Sequence, residues 1–72
     1  MSDVVKRSIS IQGHRTSISL EQPFFDALVE IAAVRSMSLA QLVAEVDEAR
    51  PRRSNLSSAL RVHVLAWFRE GT

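Results

Sequence analysis

The sequence predicts a mainly α domain with a short N-terminal β element, in the order β(β)ααα. Two observations give the elements. "RSISI" at 7–11 and "TSISL" at 16–20 alternate polar and aliphatic residues at period two, the pattern of half-buried strands. From Pro23 onward, apolar residues recur at helical spacing in three blocks separated by "SMS" and "RPRRSN". A third observation concerns how such a chain holds together. It has 72 residues and no cysteine, yet 46% of it is hydrophobic. A chain this short is marginal alone and gains stability from disulfides, a metal or a second copy. Disulfides are excluded, and His14 and His63 lie far apart with no ligand spacing around them. The sequence therefore predicts one domain over 1–72 that self-associates, with no metal and no cofactor.

The strands are expected at about 7–11 and 16–20. With "QGHR" as a four-residue loop, Ile11 would pair with Thr16, Ile9 with Ile18 and Arg7 with Leu20. That register puts Ile9, Ile11, Ile18 and Leu20 on one face. A competing reading makes 4–12 an arm and leaves only 16–20 as a structural strand. An isolated two-stranded hairpin is marginal in water, so the strands need something further to pair with.

The first helix is expected at about 22–35. Pro23 suits the first turn, where its missing N–H costs nothing. Phe24, Leu28, Ile31 and Ala32 form its apolar stripe, widened by Phe25 and Val29. The second, at about 38–49, opens on a capping box of Ser38 and Gln41. Leu39, Leu42, Val43 and Val46 face inward, and Arg50 with Pro51 ends it. The third, at about 54–69, is capped by Ser54 or Asn55 and followed by Gly71. Leu56, Leu60, Val64 and Phe68 line one side, while Val62, Leu65 and Trp67 lie off it. A helix apolar over so much of its circumference needs extra cover, which again argues for a partner chain.

The net charge of +1 hides a strong asymmetry. Residues 1–20 hold Lys6, Arg7 and Arg15 against Asp3. Residues 21–49 hold six acids against Arg35. Residues 50–72 hold five arginines against Glu70. No apolar run approaches the roughly 18 residues of a membrane span. "MSDVVKRSIS" has no long apolar region of the secretory type, so the expected compartment is the cytoplasm. No serine sits in a nucleophile elbow and no glycine-rich phosphate loop is present. An enzyme is not expected.

The stretch "HRTSISLEQPFFDALVEIAAVRSMSLAQLVAEVDEAR" at 14–50 resembles the ribbon-helix-helix family, the Arc- and Met-repressor-like dimers. "RPRRSNLSSALRVHVLAWFREG" looks like the tail of a bacterial subgroup with an added C-terminal helix. The resemblance implies a ribbon-helix-helix dimer in which strands of two chains pair into one ribbon that enters the major groove of DNA. It implies two-fold pairing about Ile18, with Thr16 opposite Leu20. Arg15, Ser17 and Ser19 would then point outward as base readers. Ser38 with the amides of Leu39 and Ala40 would hold a phosphate, and Lys6 and Arg7 would touch flanking phosphates. Ile18, Leu20, Phe24, Leu28, Leu42 and Val46 would form the dimer core. Plainer readings stand beside these: Arg15 as a surface arginine, Ser38 as a cap only, Arg50, Arg52 and Arg53 as partners of the chain's own acids. The implied function is a homodimeric DNA-binding transcriptional regulator, its partners itself and double-stranded DNA. The alternative is a dimeric protein-interaction module, antitoxin-like or adaptor. A strand at 7–11 pairing beside 16–20 would widen the ribbon and bears on the choice.

Overall fold

The computed structural model describes residues 3–71; Met1, Ser2 and Thr72, at the ends of the expected domain, lie outside the described residues. Two antiparallel strands, β1 (Val4–Ile11) and β2 (His14–Glu21), are followed by helices α1 (Gln22–Val34), α2 (Leu39–Ala49) and α3 (Leu56–Glu70). Residues 4–12 do not form a free arm: β1 pairs with β2 along its whole length.

The loop between the strands is shorter than the four residues expected. Gln12 and Gly13 both take positive φ, 48° and 83°, and turn the chain in two residues. Two left-handed residues in succession make the hairpin turn whose twist matches that of the strands. Ile11 therefore faces His14, Ile9 faces Thr16, Arg7 faces Ile18 and Val5 faces Leu20. The register moves by two residues, so the side-chain faces are unchanged. Ile9, Ile11, Ile18 and Leu20 still share one face, joined by Val5 and Arg7. Glu21, the last residue of β2, also occupies the N-cap position of α1, without a capping bond from its side chain.

The helices pack on that face. Ile11, Ile18, Leu20, Phe25, Leu28, Ile31, Leu42, Val43, Val46, Leu60 and Val64 form one buried cluster within the single chain. Phe25, not Phe24, is the buried aromatic of α1; Phe24 is half-buried beside the Arg61 guanidinium, 5.9 Å from its ring centre. Adjacent residues on a helix differ by about 100°, and the approach of β2 and α3 selects which enters the core. Phe68, expected on the inner side of α3, is 42% exposed, and Trp67 packs on the core in its place. The other residues expected to line a dimer core, Ile18, Leu20, Leu28, Leu42 and Val46, are all buried inside one chain. Among the described residues no single helix is long and apolar enough to cross a membrane.

Each helix end has a local cause. Ser38 Oγ accepts the Gln41 N–H at 3.1 Å and Gln41 Oε1 accepts the Ser38 N–H at 2.7 Å, closing the capping box of α2. Asn55, not Ser54, caps α3, its Oδ1 accepting the Ser58 N–H at 3.1 Å. At the end of α1 the Met37 N–H reaches Ala32 O and the Ser36 N–H reaches Ala33 O, at 2.9 and 3.1 Å. This is the double closure that places one left-handed residue after a helix. Here that residue is Ser36, with φ 57°. A non-glycine residue is strained there. We therefore expect Ser36→Gly to raise unfolding stability by about 0.5–1 kcal/mol, read as a higher urea midpoint at unchanged slope. An unchanged or lower midpoint would show that this turn stores no strain.

Candidate nucleic-acid interface

The face of the hairpin turned away from the helices carries Lys6, Ser8, Ser10, Arg15, Ser17 and Ser19, with Val4 and Glu21 at its open end. Arg15, Ser17 and Ser19 thus share a face, as their alternation implies. The face holds two cations, four serines and one acid. That acid, Glu21, is engaged by Arg61 at 3.1 Å. Arg15 reaches across the pair to Ser8 Oγ at 3.4 Å, the long limit of a hydrogen bond, so its guanidinium is only loosely held. Ser19 is half-buried.

Lys6 and Arg7 part company. Lys6 stands opposite Ser19 on the outward face. Arg7 lies on the helix-facing side, where it donates to Gln22 Oε1 at 2.8 Å and stacks over the Phe25 ring at 4.6 Å. The structure does not bring it to Lys6 as a second contact on one surface.

At the start of α2 the Ser38 hydroxyl and N–H are both used within the capping box, and Ser38 also gives its carbonyl to Leu42. Among the described residues the amides of Leu39 and Ala40 meet no acceptor. They are the free donors that a helix N-terminus offers to an anion. Ala40 lies beside Ser10, Ile11 and Gln12, so this terminus adjoins the turn end of the hairpin.

Two acids of the helical layer are paired with arginines of the same chain. Arg35 grips Glu45 with two hydrogen bonds, 2.5 and 2.8 Å long. Arg50 bonds Asp47 at 2.7 Å and also donates to the Ser54 carbonyl. Arg52 and Arg53 are exposed and meet no acid among the described residues. His14 is exposed. His63 is half-buried in α3, with Nε2 buried and without a hydrogen-bond partner among the described residues. No three metal-ligating side chains converge on a point among the described residues.

Two contacts that bear on this face have no counterpart in the sequence pattern, and both come from α3. Ser57 Oγ accepts the Ser19 N–H at 2.9 Å, and Arg61 donates to Ser19 O at 3.2 Å. The edge of β2 away from β1 is thereby occupied at Ser19, towards the end that leads into α1. A ribbon of two β2 strands would have to displace both bonds. Their only trace in the sequence is the i, i+4 spacing of Ser57 and Arg61 in "NLSSALRV".

Two carboxylates are held below their ordinary range. Glu45 is lowered chiefly by its hydrogen bonds from Arg35, whose own pKa is raised by the same contact. Glu21 is lowered first by a bond from its own backbone N–H and then by Arg61. A carboxylate depressed in the folded state contributes stability that is full above its unfolded pKa. That stability is lost as pH falls through the folded value. Glu45→Gln is accordingly expected to flatten the acid limb of the Tm profile below about pH 4.3, the ordinary glutamate value. A Tm profile that keeps the native slope there would refute the assignment to Glu45.

The ribbon-helix-helix domain family matches residues 4–68, nearly the whole chain, and the protein belongs to that family. The order of a two-stranded antiparallel sheet followed by helices agrees with the match. No curated protein and no solved structure matches the chain.

Proposed function

We propose that the protein is a homodimeric DNA-binding regulator of transcription that lays the serine-rich outer face of its sheet in the major groove. The observation that carries this reading is the charge of that face: Lys6 and Arg15 stand there with no unpaired acid, while the acids lie on the helical layer behind. A β ribbon fits the major groove, about 12 Å wide. Serine hydroxyls can contact several bases and discriminate little, so Lys6 and Arg15 are the side chains suited to selecting sequence. The free amides of Leu39 and Ala40, next to the turn, would take a phosphate at the groove wall. On this reading the chain binds rather than catalyses, in the cytoplasm, without a cofactor.

A second reading, a protein-interaction module of antitoxin or adaptor type, draws on one observation. Val62 and Leu65, 64% and 55% exposed, form with Phe68 an apolar strip on the outer side of α3. Such a strip is a docking surface for another protein.

Binding over a random duplex library at two salt concentrations separates the two. The regulator predicts an enriched, two-fold-related sequence and a steep salt dependence. Lys6→Ala combined with Arg15→Ala should weaken binding about tenfold or more near physiological salt and flatten the salt slope, because fewer counterions are released. No enrichment, with binding weaker than about 10⁻⁵ M, would favour the interaction module.

A further inference from the structure

The geometry points to β1, not β2, as the strand through which two copies of this chain join, antiparallel about a two-fold axis at Ser8, in a sheet of order β2-β1-β1-β2. The inference rests on the dimer proposed above and specifies its interface.

The two edges of the hairpin differ. The two-residue turn closes on Ile11 and His14, so Ile9–Thr16, Arg7–Ile18 and Val5–Leu20 are the pairs that exchange backbone bonds. The backbone groups of Lys6, Ser8 and Ser10 on β1, and of Arg15, Ser17 and Ser19 on β2, therefore point away from the hairpin. On β2 the last of the three is taken, since Ser57 and Arg61 hold both the N–H and the carbonyl of Ser19 and lay α3 across that end of the edge, leaving only the groups of Arg15 and Ser17 open. On β1 the N–H and C=O groups of Lys6, Ser8 and Ser10 meet no partner among the described residues. The open edge runs over Val4–Ile11 with no proline to interrupt it. A strand edge of that length and regularity is a template for another strand. A closed two-fold uses it once and leaves none open at the centre of the sheet.

The occupant that fits is a second β1. Pairing about Ser8 sets Val5 opposite Ile11 of the second copy, Arg7 opposite Ile9 and Lys6 opposite Ser10. An axis at Lys6 or Arg7 would put like charges face to face, which destabilises a strand pair. Val5 and Ile9 are only half-buried in one chain although they face the helices, so the second copy completes their cover. Beside the turn end of β1 lies a cleft of about 420 Å³, lined by Ile11, Ala40, Ala44 and Glu48 among others. Antiparallel pairing brings Val5 and Arg7 of the second copy to that end. A small apolar side chain meets an apolar floor there, and an arginine approaches Glu48, whose hydrogen bond is to the neutral Gln12.

The pairing also orders the outward face. Lys6 and Ser8 move to its centre, and Arg15 to its flanks, where phosphates rather than base edges lie. Base selection then falls to Lys6 alone, which narrows the reading above, where Arg15 shared it.

The chain has no cysteine, so single thiols report the interface directly. Ser8 and Ser17 are cross-strand neighbours, both exposed, and serve as each other's control. Residues directly opposite in a bonded pair have Cα atoms about 5.5 Å apart, within disulfide range. At low micromolar concentration under mild oxidation, Ser8→Cys is expected to give a covalent dimer and Ser17→Cys is not. Ser8→Pro removes only an outward N–H, a change that edge strands tolerate. It is expected to halve the sedimenting mass with the circular dichroism retained, while Ser17→Pro leaves the mass unchanged. Where Ser8→Pro unfolds, the cross-linking result decides. A ribbon of two β2 strands about Ile18 would set Ser17 opposite Ser19, so cross-linking between Ser17→Cys chains and Ser19→Cys chains mixed together, with none through Ser8→Cys, in a native chain that sediments as a dimer, would overturn the choice of β1 and leave the dimer standing. A native chain that sediments as a monomer, with neither thiol cross-linking, would overturn the dimer itself.

Discussion

The two bonds that α3 makes to the backbone of Ser19 constrain most of the remaining structure. A hairpin has two edges, and each backbone group on them must find a partner or water. By giving the Ser19 position of the β2 edge to Ser57 and Arg61, the chain anchors its third helix across one end of the sheet. Leu60 and Val64, on the turns that follow Ser57, then fall onto the same apolar face that α1 and α2 cover. Arg61 ties the arrangement together. One guanidinium serves the Ser19 carbonyl and the Glu21 carboxylate, and it lies over the Phe24 ring. Strand end, helix start and third helix are thus held by a single side chain, and β1 is the edge left open along its whole length.

Charge follows the same division. The ion pairs Arg35–Glu45, Arg50–Asp47 and Arg61–Glu21 consume acids and bases within the helical layer and its junction with the sheet. Exposed or half-exposed pairs of this kind add little to stability. Their larger effect is on the outward field. They leave Lys6, Arg7 and Arg15 on the sheet, Arg52 and Arg53 on the link between α2 and α3, and Arg69 on α3 without an ion pair among the described residues, and of these only Lys6 and Arg15 stand on the outward face of the sheet. A field set by a few local cations is felt within about a Debye length, some 8–10 Å at ordinary salt. It therefore acts on a polyanion that touches the sheet, and little beyond.

Much of this was legible in the sequence, for reasons that differ by element. The strand faces follow from parity alone, so a register error of two residues left every side chain on its expected side. The same parity places Arg7 with Ile9 and Ile11, and so predicts its departure from Lys6. Loop length was not legible, because glutamine is not a residue expected in the left-handed region that Gln12 occupies. The capping box of Ser38 and Gln41 is a local pattern and reads directly. Phe24 and Phe25 both fall within one wide stripe, and only the crossing of neighbouring elements chooses between them. The contact of Ser57 and Arg61 with Ser19 joins residues about forty apart in sequence. No local periodicity encodes that, and with it went the knowledge of which edge is open.

Width sets the last condition on how such a sheet could meet DNA. Four strands about 4.8 Å apart are too broad to lie flat in a groove about 12 Å wide. Neighbouring strands, however, rotate by roughly 20–25°. The outer strands of a four-stranded sheet therefore turn out of the plane of the central pair. On the proposed pairing, with β1 at the centre, the depth of the groove would receive only Lys6 and the small hydroxyls of Ser8 and Ser10. The β2 strands would ride at the rim, where the fork of Arg15 would match a phosphate in two hydrogen bonds. A serine-lined ribbon with one long cation per strand positions itself chiefly on the backbone. Such a surface takes part of its selectivity from groove shape and deformability rather than from base edges.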